Sequence, residues 1–414
     1  MSDVPTPGAD APTPPRMPRQ VLLSLILGQI AVHAAMAGQR MAAPLQALEA
    51  GYHAWAVGLL LALFAALPVL TAMGAGRMAD RHGYHRPVHV AVALTVTGTG
   101  LAVLACWLPG WWRFGLLCVG AALSGVGTNL ALIAIQRTAG QLVTDSTERL
   151  KVFSWLGMAP SLANVVGPVL AGFMIDLGGF ASAYAVMMVL PFSALWFARG
   201  VPAEAGRLGR VKRDEGGSMW DLLQVPGLKR LLIVNWLFSA SWDVHSFAVP
   251  VLGHARSYNA STIGLVLGTF TMAVTVVRFL IPIMAHRLDE VVVLRSAMLL
   301  TGLVFTAYPF ATTPWHMALC ATLLGLTLGS VQPMIMSTLH HLTPPNRHGE
   351  ALAFRSLAIN ASSSVMPLAF GLAGTALGPG VMFWIMGAAV GSGSWVARGL
   401  SQAFEQRDKH LDAG

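Results

Sequence analysis

Charged residues are scarce in this chain. Of its 414 residues only 11% are Asp, Glu, Lys or Arg, whereas 55% are hydrophobic. An average soluble domain is about 25% charged. So few charges cannot cover a water-soluble domain, and so much apolar side chain excludes a disordered chain. A lipid bilayer solvates an apolar exterior, so the composition predicts a membrane protein.

The chain also has few cysteines, and it lacks the common sequence motifs of enzymes. The three cysteines, Cys106, Cys118 and Cys320, lie inside apolar runs without paired spacing. This excludes a disulfide framework, and we expect no metal site and no cofactor. The chain has no His-Glu-x-x-His, Gly-x-Ser-x-Gly or Walker lysine motif. We therefore expect neither an enzyme nor an ATP-driven pump.

Apolar runs of about 20 residues or more, enough to cross a bilayer as a helix, recur twelve times. They predict an all-α membrane protein of twelve transmembrane helices in two pseudo-symmetric six-helix bundles. The predicted spans are 19–45, 54–75, 87–108, 112–136, 151–175, 178–199, 229–252, 260–283, 292–311, 314–338, 351–374 and 379–400. The predicted parts are a disordered Pro-rich tail (1–18), an N-terminal bundle (19–199), a linker (200–228), a C-terminal bundle (229–400) and a second tail (401–414).

Lysine and arginine are distributed unevenly over the two faces of the predicted bundles. Twenty-one of the 26 lie on the face that holds both tails and the linker, and only Arg113 and Arg256 lie on the opposite face. Because positive residues accumulate on cytoplasmic loops, we expect both termini in the cytoplasm. The net charge of +8 is then a topology signal, and we expect no nucleic-acid partner.

The two halves of the chain are related by an internal repeat. At an offset of 206, residues 34–81 and 240–287 are identical at 12 of 48 positions, without a gap. Apolar helices produce chance matches, but the matches include proline, tyrosine, phenylalanine and arginine. Two parallel six-helix repeats are typical of transporters that bind their substrate at the repeat interface.

A charged motif follows span 2. An aspartate among basic residues can bond across a gap between helices and lock one conformation, although a plain cytoplasmic turn also carries such charges. The segment resembles the loop 2–3 signature of the major facilitator superfamily, Gly-x-Leu-Ala-Asp-Arg-x-Gly-Arg-Lys. The resemblance implies a conformational gate, whose residues here are Gly76, Asp80, Arg81, Gly83 and Arg86.

Two further segments resemble the same superfamily. The loop with Arg347 is similar to its loop 10–11, where basic residues pair at the gate, and we add Arg355 to that gate. Span 5 contains Gly167, Pro168 and Gly172, which resemble its antiporter signature and imply proton-exchanging export; helix packing alone explains such residues too. Span 4 departs from that subfamily, because it has Ala121 where exporters usually hold an arginine.

Spans 1 and 7 carry polar stripes at positions related by the repeat. Ionisable groups so deep in a membrane are costly and mark substrate or proton paths. We expect Asp243 to carry a proton, with His33 as second candidate and Arg40 as charge partner or anion anchor. Two alternatives stay open. Arg40 could snorkel to the outer membrane interface, and Asp243 could form a purely structural pair with Arg40 or another basic residue. The full predicted pathway is Gln29, His33, Arg40, Asn129, Asn235, Ser239, Asp243 and Gln332.

These features together predict a bacterial secondary transporter of the inner membrane that works by alternating access and is driven by the proton gradient. We expect a monomer in the lipid bilayer with a small-molecule substrate between spans 1, 4, 7 and 10. Export of a small organic or amphiphilic compound is the leading hypothesis. Proton-coupled uptake of an organic anion is the alternative, because two of the three in-span arginines lack an obvious acid partner. A transporter-like membrane sensor is the third hypothesis.

Overall fold

The structure is a computed structural model that describes residues 17–142, 146–203, 219–284, 289–343 and 348–411. These residues form helices and connecting turns, and no strand occurs among them. Two short 3₁₀ helices are Met219–Gln224 and Tyr308–Phe310. The α-helices are α1 (Arg19–Glu49), α2 (Ala54–His82), α3 (His85–Ala105), α4 (Gly110–Leu142), α5 (Ser146–Ala198), α6 (Leu228–Ala255), α7 (Ala260–Met284), α8 (Glu290–Ala307), α9 (Pro314–Leu342), α10 (His348–Leu377) and α11 (Pro379–Leu411).

These eleven helices provide twelve spans, because α5 is broken at Gly179. The backbone there has φ 76° and ψ −177°, which glycine adopts readily since it has no Cβ. Spans 5 and 6 are therefore the two parts of α5, spans 1–4 are α1–α4, and spans 7–12 are α6–α11. The predicted all-α fold of two six-helix bundles is confirmed.

α6 differs from the other helices in polarity. Ten of the described helical stretches are long and apolar enough to cross a membrane, one of them covering both parts of α5, and α6 is not among them. It carries Asn235, Ser239, Asp243 and His245. Asn235, Asp243 and His245 are at most 4% exposed, so neighbouring helices shield these groups from lipid.

The turns between the helices lie on two faces of the molecule. We call the face with the start of α1, the turn at Gly83 and the end of α11 the terminal face. The other face, with the turns at Gly51 and Gly179, is the opposite face. α11 continues to Leu411, so the segment predicted as a tail from 401 is largely helical. The predicted disordered tail up to residue 16, and linker residues 204–218, lie outside the described residues.

The two bundles meet along two seams. α2 packs against α10, α5 packs against α7, and a smaller contact joins α1 to α6. In the first seam a Cβ on Gly58 would overlap the carbonyl group of Pro367. Nearby, the Trp55 amide donates to Thr375 Oγ1 at 3.1 Å. These contacts lie in the first turns of α2, so this seam is closely packed toward the opposite face.

The second seam is also closely packed toward the opposite face. The Asp176 carboxylate in α5 accepts hydrogen bonds from the backbone amides of Ala260 and Ser261, at 3.0 and 2.9 Å. These amides begin α7, where the helix dipole is positive and the backbone has no intrahelical acceptor. A Cβ on Gly264, one turn further, would overlap the Pro168 carbonyl. The N-terminal bundle therefore caps a helix of the C-terminal bundle.

Candidate functional site

An ion pair joins the two bundles deep within the spans. Arg40 Nη2 in α1 lies 3.8 Å from Asp243 Oδ1 in α6, and their side chains are 25% and 3% exposed. Asp243 lies about 20 Å along α6 from either end of that helix, at 1.5 Å per residue. The structure thus brings together the two ionisable residues that the polar stripes place on facing helices.

Two hydroxyl groups of α10 complete the surroundings of Asp243. Ser362 Oγ donates to Asp243 Oδ2 at 3.0 Å, and Ser363 Oγ lies 3.3 Å from both carboxylate oxygens. A buried carboxylate needs such donors, because water does not solvate it there. Sequence reasoning missed both serines. Their run of three hydroxyl side chains, 362–364, inside an apolar span was the available signal.

A small cavity lies beside this ion pair. Its volume is about 40 Å³, room for about three water molecules, and both bundles line it. Its walls come from α1, α5, α6 and α7, so α4 and α9, predicted to flank the substrate, do not line it. The lining residues are Ala37, Arg40, Met41, Asn164, Pro168, Trp242, Ser246, Leu267, Phe270 and Thr271.

His33 lies in a polar chain that crosses from α1 to α5 and α7. The Asn164 amide nitrogen is 3.3 Å from His33 Nε2. Because an amide NH₂ only donates, His33 Nε2 accepts in this contact. Nδ1 is buried and has no hydrogen-bond partner among the described residues. Thr271 Oγ1 of α7 donates to the Asn164 backbone carbonyl at 3.1 Å, so this chain also connects the bundles.

Gln29 and Asn235, which occupy equivalent positions in the repeat, have similar surroundings in the structure. Both side chains are buried, at 2% and 4% exposure. Gln29 Oε1 and Asn235 Nδ2 have no hydrogen-bond partner in the part of the chain that the structure describes. Ser239, one turn from Asn235, is half-buried. A buried polar atom without a partner is costly, so both stripes hold groups that a ligand or water would satisfy.

Asn129 and Gln332 lie away from the cavity. Asn129 Nδ2 donates to the Pro68 carbonyl at 3.4 Å, within the N-terminal bundle. Gln332 Oε1 accepts from Arg278 Nη2 at 2.8 Å, and Arg278 Nη1 donates to Ser161 Oγ at 2.8 Å. Arg278 thus links α9 to α5 on the terminal side of the cavity.

The predicted gate residue Asp80 forms its ion pair inside one bundle. Asp80 Oδ1 accepts from Arg137 Nε of α4 at 2.9 Å, and the Asp80 side chain is 58% exposed. Sequence reasoning did not single out Arg137, which is 57 positions away in the chain. Arg81 and Arg86 are exposed. Within the described part of the chain, the ion pair of Asp80 therefore stays inside the N-terminal bundle.

The other gate residues differ in their surroundings. Gly83 has φ 67° and ψ −149°, which requires glycine, whereas a Cβ on Gly76 would meet no atom within 4 Å. Gly76 therefore does not serve a close helix approach here. Tyr84, where the signature has arginine, is buried, and burial raises the pKa of its phenol. Arg355 is half-buried in α10, and Arg347 lies outside the described residues.

The glycines of the span 5 motif lie against two different neighbours. A Cβ on Gly167 would overlap the Ala34 carbonyl of α1, and a Cβ on Gly172 would crowd the Ala260 backbone of α7. Pro168 lies between them and lines the cavity. The motif thus packs α5 against both bundles at once. Among the described residues, no cluster of His, Cys, Asp or Glu could hold a metal ion.

A sequence profile described as Major Facilitator Superfamily matches residues 25–224 and 231–409, most of the chain. Tetracycline resistance protein, class B, of Escherichia coli is 30% identical over 143 residues. That alignment covers 34% of this chain and 33% of the relative, so it spans about a third of the relative's length.

Solved structures share the fold at low sequence identity. A mutant of the peptide transporter POT has a TM-score of 0.76 at 13% identity, covering 94% of this chain and 96% of that one. A POT family transporter in complex with 5-aminolevulinic acid has a TM-score of 0.70 at 13% identity, covering 91% and 94%. The profile match, the twelve spans and the shared fold lead to one conclusion. The chain belongs to the Major Facilitator Superfamily and is a multi-pass membrane protein.

Proposed function

We propose that this protein is a proton-coupled antiporter that exports a small organic or amphiphilic compound across the bacterial inner membrane, with both termini in the cytoplasm. The observation that carries the proposal is the Arg40–Asp243 pair. It joins the two bundles beside a cavity that both bundles line. A carboxylate in that position can take up a proton, and its only charged partner among the described residues belongs to the other bundle.

The pair explains how a proton and a substrate could exchange. With Asp243 charged, the pair tethers α1 to α6 and disfavours separation of the bundles. A proton on Asp243 removes the negative charge, and a substrate that binds Arg40 removes the positive one. Either event breaks the tether, so both loaded forms can change conformation while the empty, charged form stays paired. This competition for one pair gives obligatory exchange.

Three observations support export. The alignment with the tetracycline resistance protein is the first, and the antiporter-like motif at the α5 seam is the second. The third is that Trp242 and Phe270 face the cavity beside Arg40, which suits an amphiphilic compound. Span 4 lacks the exporters' arginine at Ala121, and in this proposal Arg40 of α1 supplies the positive charge next to the proton carrier.

Proton-coupled uptake of an organic anion is the second candidate. It is favoured by Arg278 and Arg355, which lie within spans and form no ion pair with any described residue. The fold shared with POT transporters, one of them in complex with 5-aminolevulinic acid, is compatible with it. The flux direction under an imposed pH gradient decides between the two candidates.

The test is transport in proteoliposomes. A thermal-shift screen that includes tetracycline, organic acids and amphiphilic cations first identifies a bound compound. With the side of the opposite face acidic, the wild type should move that compound uphill toward the acid. Asp243→Asn should reduce this flux to below about a tenth of the wild-type value, a change that corresponds to about 1.4 kcal/mol or more. The variant should still exchange labelled for unlabelled compound, because that exchange needs no proton.

Asp289→Asn is the matched control, because Asp289 is an exposed carboxylate that caps α8 within one bundle. It should transport like the wild type. Undiminished pH-driven flux in Asp243→Asn would rule out Asp243 as the proton carrier.

A further inference from the structure

Two serines of α10 donate hydrogen bonds to a side chain of another helix. Ser362 Oγ is 3.0 Å from Asp243 Oδ2, and Ser363 Oγ is 3.3 Å from both carboxylate oxygens. Hydroxyl groups inside helices commonly donate to the backbone carbonyl one turn back. Ser241 of α6 and Ser364 of α10 do so, each at 2.8 Å. Ser362 and Ser363 differ from these neighbours because they serve a buried carboxylate.

These hydroxyl groups, and not the arginine, make the short contacts to the carboxylate. Arg40 Nη2 lies 3.8 Å from Asp243 Oδ1, which is longer than a hydrogen bond. Ser362 is 1% exposed and Asp243 is 2% exposed, so bulk water does not take the place of these donors. The serines therefore fix the orientation of the carboxylate, whereas Arg40 supplies the opposite charge.

The donors around Asp243 suit its charged form better than its neutral form. A carboxylate only accepts hydrogen bonds, and uptake of a proton turns one of its oxygens into an O–H donor. That O–H then meets a serine hydroxyl group that was itself donating, so the hydroxyl group must turn away. Ser364 shows that a backbone carbonyl of α10 is an alternative acceptor. Removal of the serine donors should therefore favour proton uptake by Asp243.

The helix that carries the serines also forms a seam between the bundles. α10 packs against α6 and against α2 of the other bundle. Pro367, one turn from Ser363, carries the carbonyl group that a Cβ on Gly58 would overlap. The two hydroxyl groups thus join the proposed proton carrier to the helix of the α2–α10 seam.

Arg40 of α1 is the charged group that faces Asp243. It forms the only ion pair of Asp243 among the described residues, so no described basic residue of α2, α7, α9, α10 or α11, which also pack against α6, pairs with the carboxylate. His33 lies on α1 two turns from Arg40. His245 lies on α6, and its ring stacks on Phe270 with a centroid distance of 4.2 Å. A titration of Asp243 must therefore be separated from that of both histidines.

We infer that Ser362 and Ser363 are positioning residues of the proton carrier, which hold the charged carboxylate of Asp243 toward Arg40 and set the pH at which it takes up a proton. The inference rests on the proposed function and adds the residues that tune its proton exchange. In this step one proton from solvent binds one carboxylate oxygen, and the carboxyl group becomes neutral. The serine hydroxyl groups keep their own protons throughout.

Infrared difference spectroscopy of the detergent-purified full chain measures this proton directly. A protonated carboxyl group has a carbonyl stretching band that carboxylates and imidazoles lack, so histidines do not contribute. Absence of the band from Asp243→Asn assigns it to Asp243, and a pH titration gives its midpoint. Ser362→Ala should raise that midpoint by at least about one pH unit, a tenfold higher proton affinity, as expected for a lost hydrogen bond to a charged group.

Three further variants separate the hydroxyl groups from one another. Ser363→Ala should raise the midpoint by less, because this hydroxyl group lies farther from the carboxylate oxygens. Ser363→Thr keeps a hydroxyl group at this half-buried position and should titrate like the wild type. Ser364→Ala is the matched control, because Ser364 donates to the Asn360 carbonyl of its own helix. It should leave the midpoint unchanged.

Two results would overturn the inference alone. These are a midpoint in Ser362→Ala that is not above that of the wild type, or an equal rise in Ser364→Ala. A wild-type Asp243 band that does not change with pH would overturn both the inference and the proton role of Asp243. The pH-driven flux of Asp243→Asn tests the proposed function separately. Undiminished flux there would contradict that function, and a raised midpoint in Ser362→Ala would still support the positioning role.

Discussion

The two ends of the interface between the bundles are built differently. Toward the opposite face the bundles touch backbone to backbone, at Gly58 with Pro367 and at Gly264 with Pro168, and Asp176 caps α7 across the interface. Toward the terminal face, the exposed Asp80 pairs inside its own bundle. Closure toward the opposite face thus relies on buried backbone contacts, whereas the ion pair of the charged motif, among the described residues, stays within one bundle.

With the terminal face in the cytoplasm, as proposed, this is a conformation closed to the outside. The superfamily resemblance implies that the charged motif closes the cytoplasmic side in the alternate conformation. The Arg40–Asp243 pair lies between the two ends and is the contact that ligands can break.

The largest effect is expected at the backbone contact of Gly58. Gly58→Ala would place a methyl group on the Pro367 carbonyl, and such overpacking costs about 1–3 kcal/mol. The variant should favour separation at the opposite face and lose most of its transport. Gly74→Ala on the same helix, where a Cβ meets no atom within 4 Å, is the control. Spin-label distances across the opposite face measure this separation. Equal distances in Gly58→Ala and Gly74→Ala would show that the contact at Gly58 does not hold the bundles together.

A smaller effect is expected at Asp176. Asp176→Ala removes two hydrogen bonds to the first turn of α7, and a lost helix cap costs about 1 kcal/mol. Because that cap crosses the bundles, the same distances should lengthen. Asp289→Ala removes a comparable cap, to the Val292 amide at 2.9 Å, within one bundle. It should lower thermal stability without changing the distances, and a distance change in both variants would contradict this reading.

The smallest effect is expected at Asp80. Exposed ion pairs contribute about 0–1 kcal/mol, and this one lies within a bundle. Asp80→Asn should therefore leave the opposite-face distances of the resting protein nearly unchanged, and adding Arg137→Gln should change little more. A shift as large as that of Asp176→Ala would show that the motif already couples the bundles in this conformation.

The fold could be read from the sequence because apolar run length alone defines a membrane helix. The Arg40–Asp243 contact could be anticipated because the repeat aligns two polar helix faces. The contacts of Asp243 with Ser362 and Ser363, and of Asp80 with Arg137, depend on which faces of distant helices meet. Helical periodicity places a side chain on a face but does not choose its neighbour. The cavity between α1, α5, α6 and α7 escaped prediction for the same reason.

The pH dependence of the distance across the opposite face shows most directly whether protonation of Asp243 separates the two bundles. Spin labels at exposed positions Ala50 and Thr312, in a chain whose three cysteines are replaced, report on the two bundles. As the pH falls, a proton on Asp243 should release Arg40, and the wild-type distance distribution should shift toward longer values. Asp243→Asn should show the released distribution at every pH. A pH response in Asp243→Asn equal to that of the wild type would contradict the account.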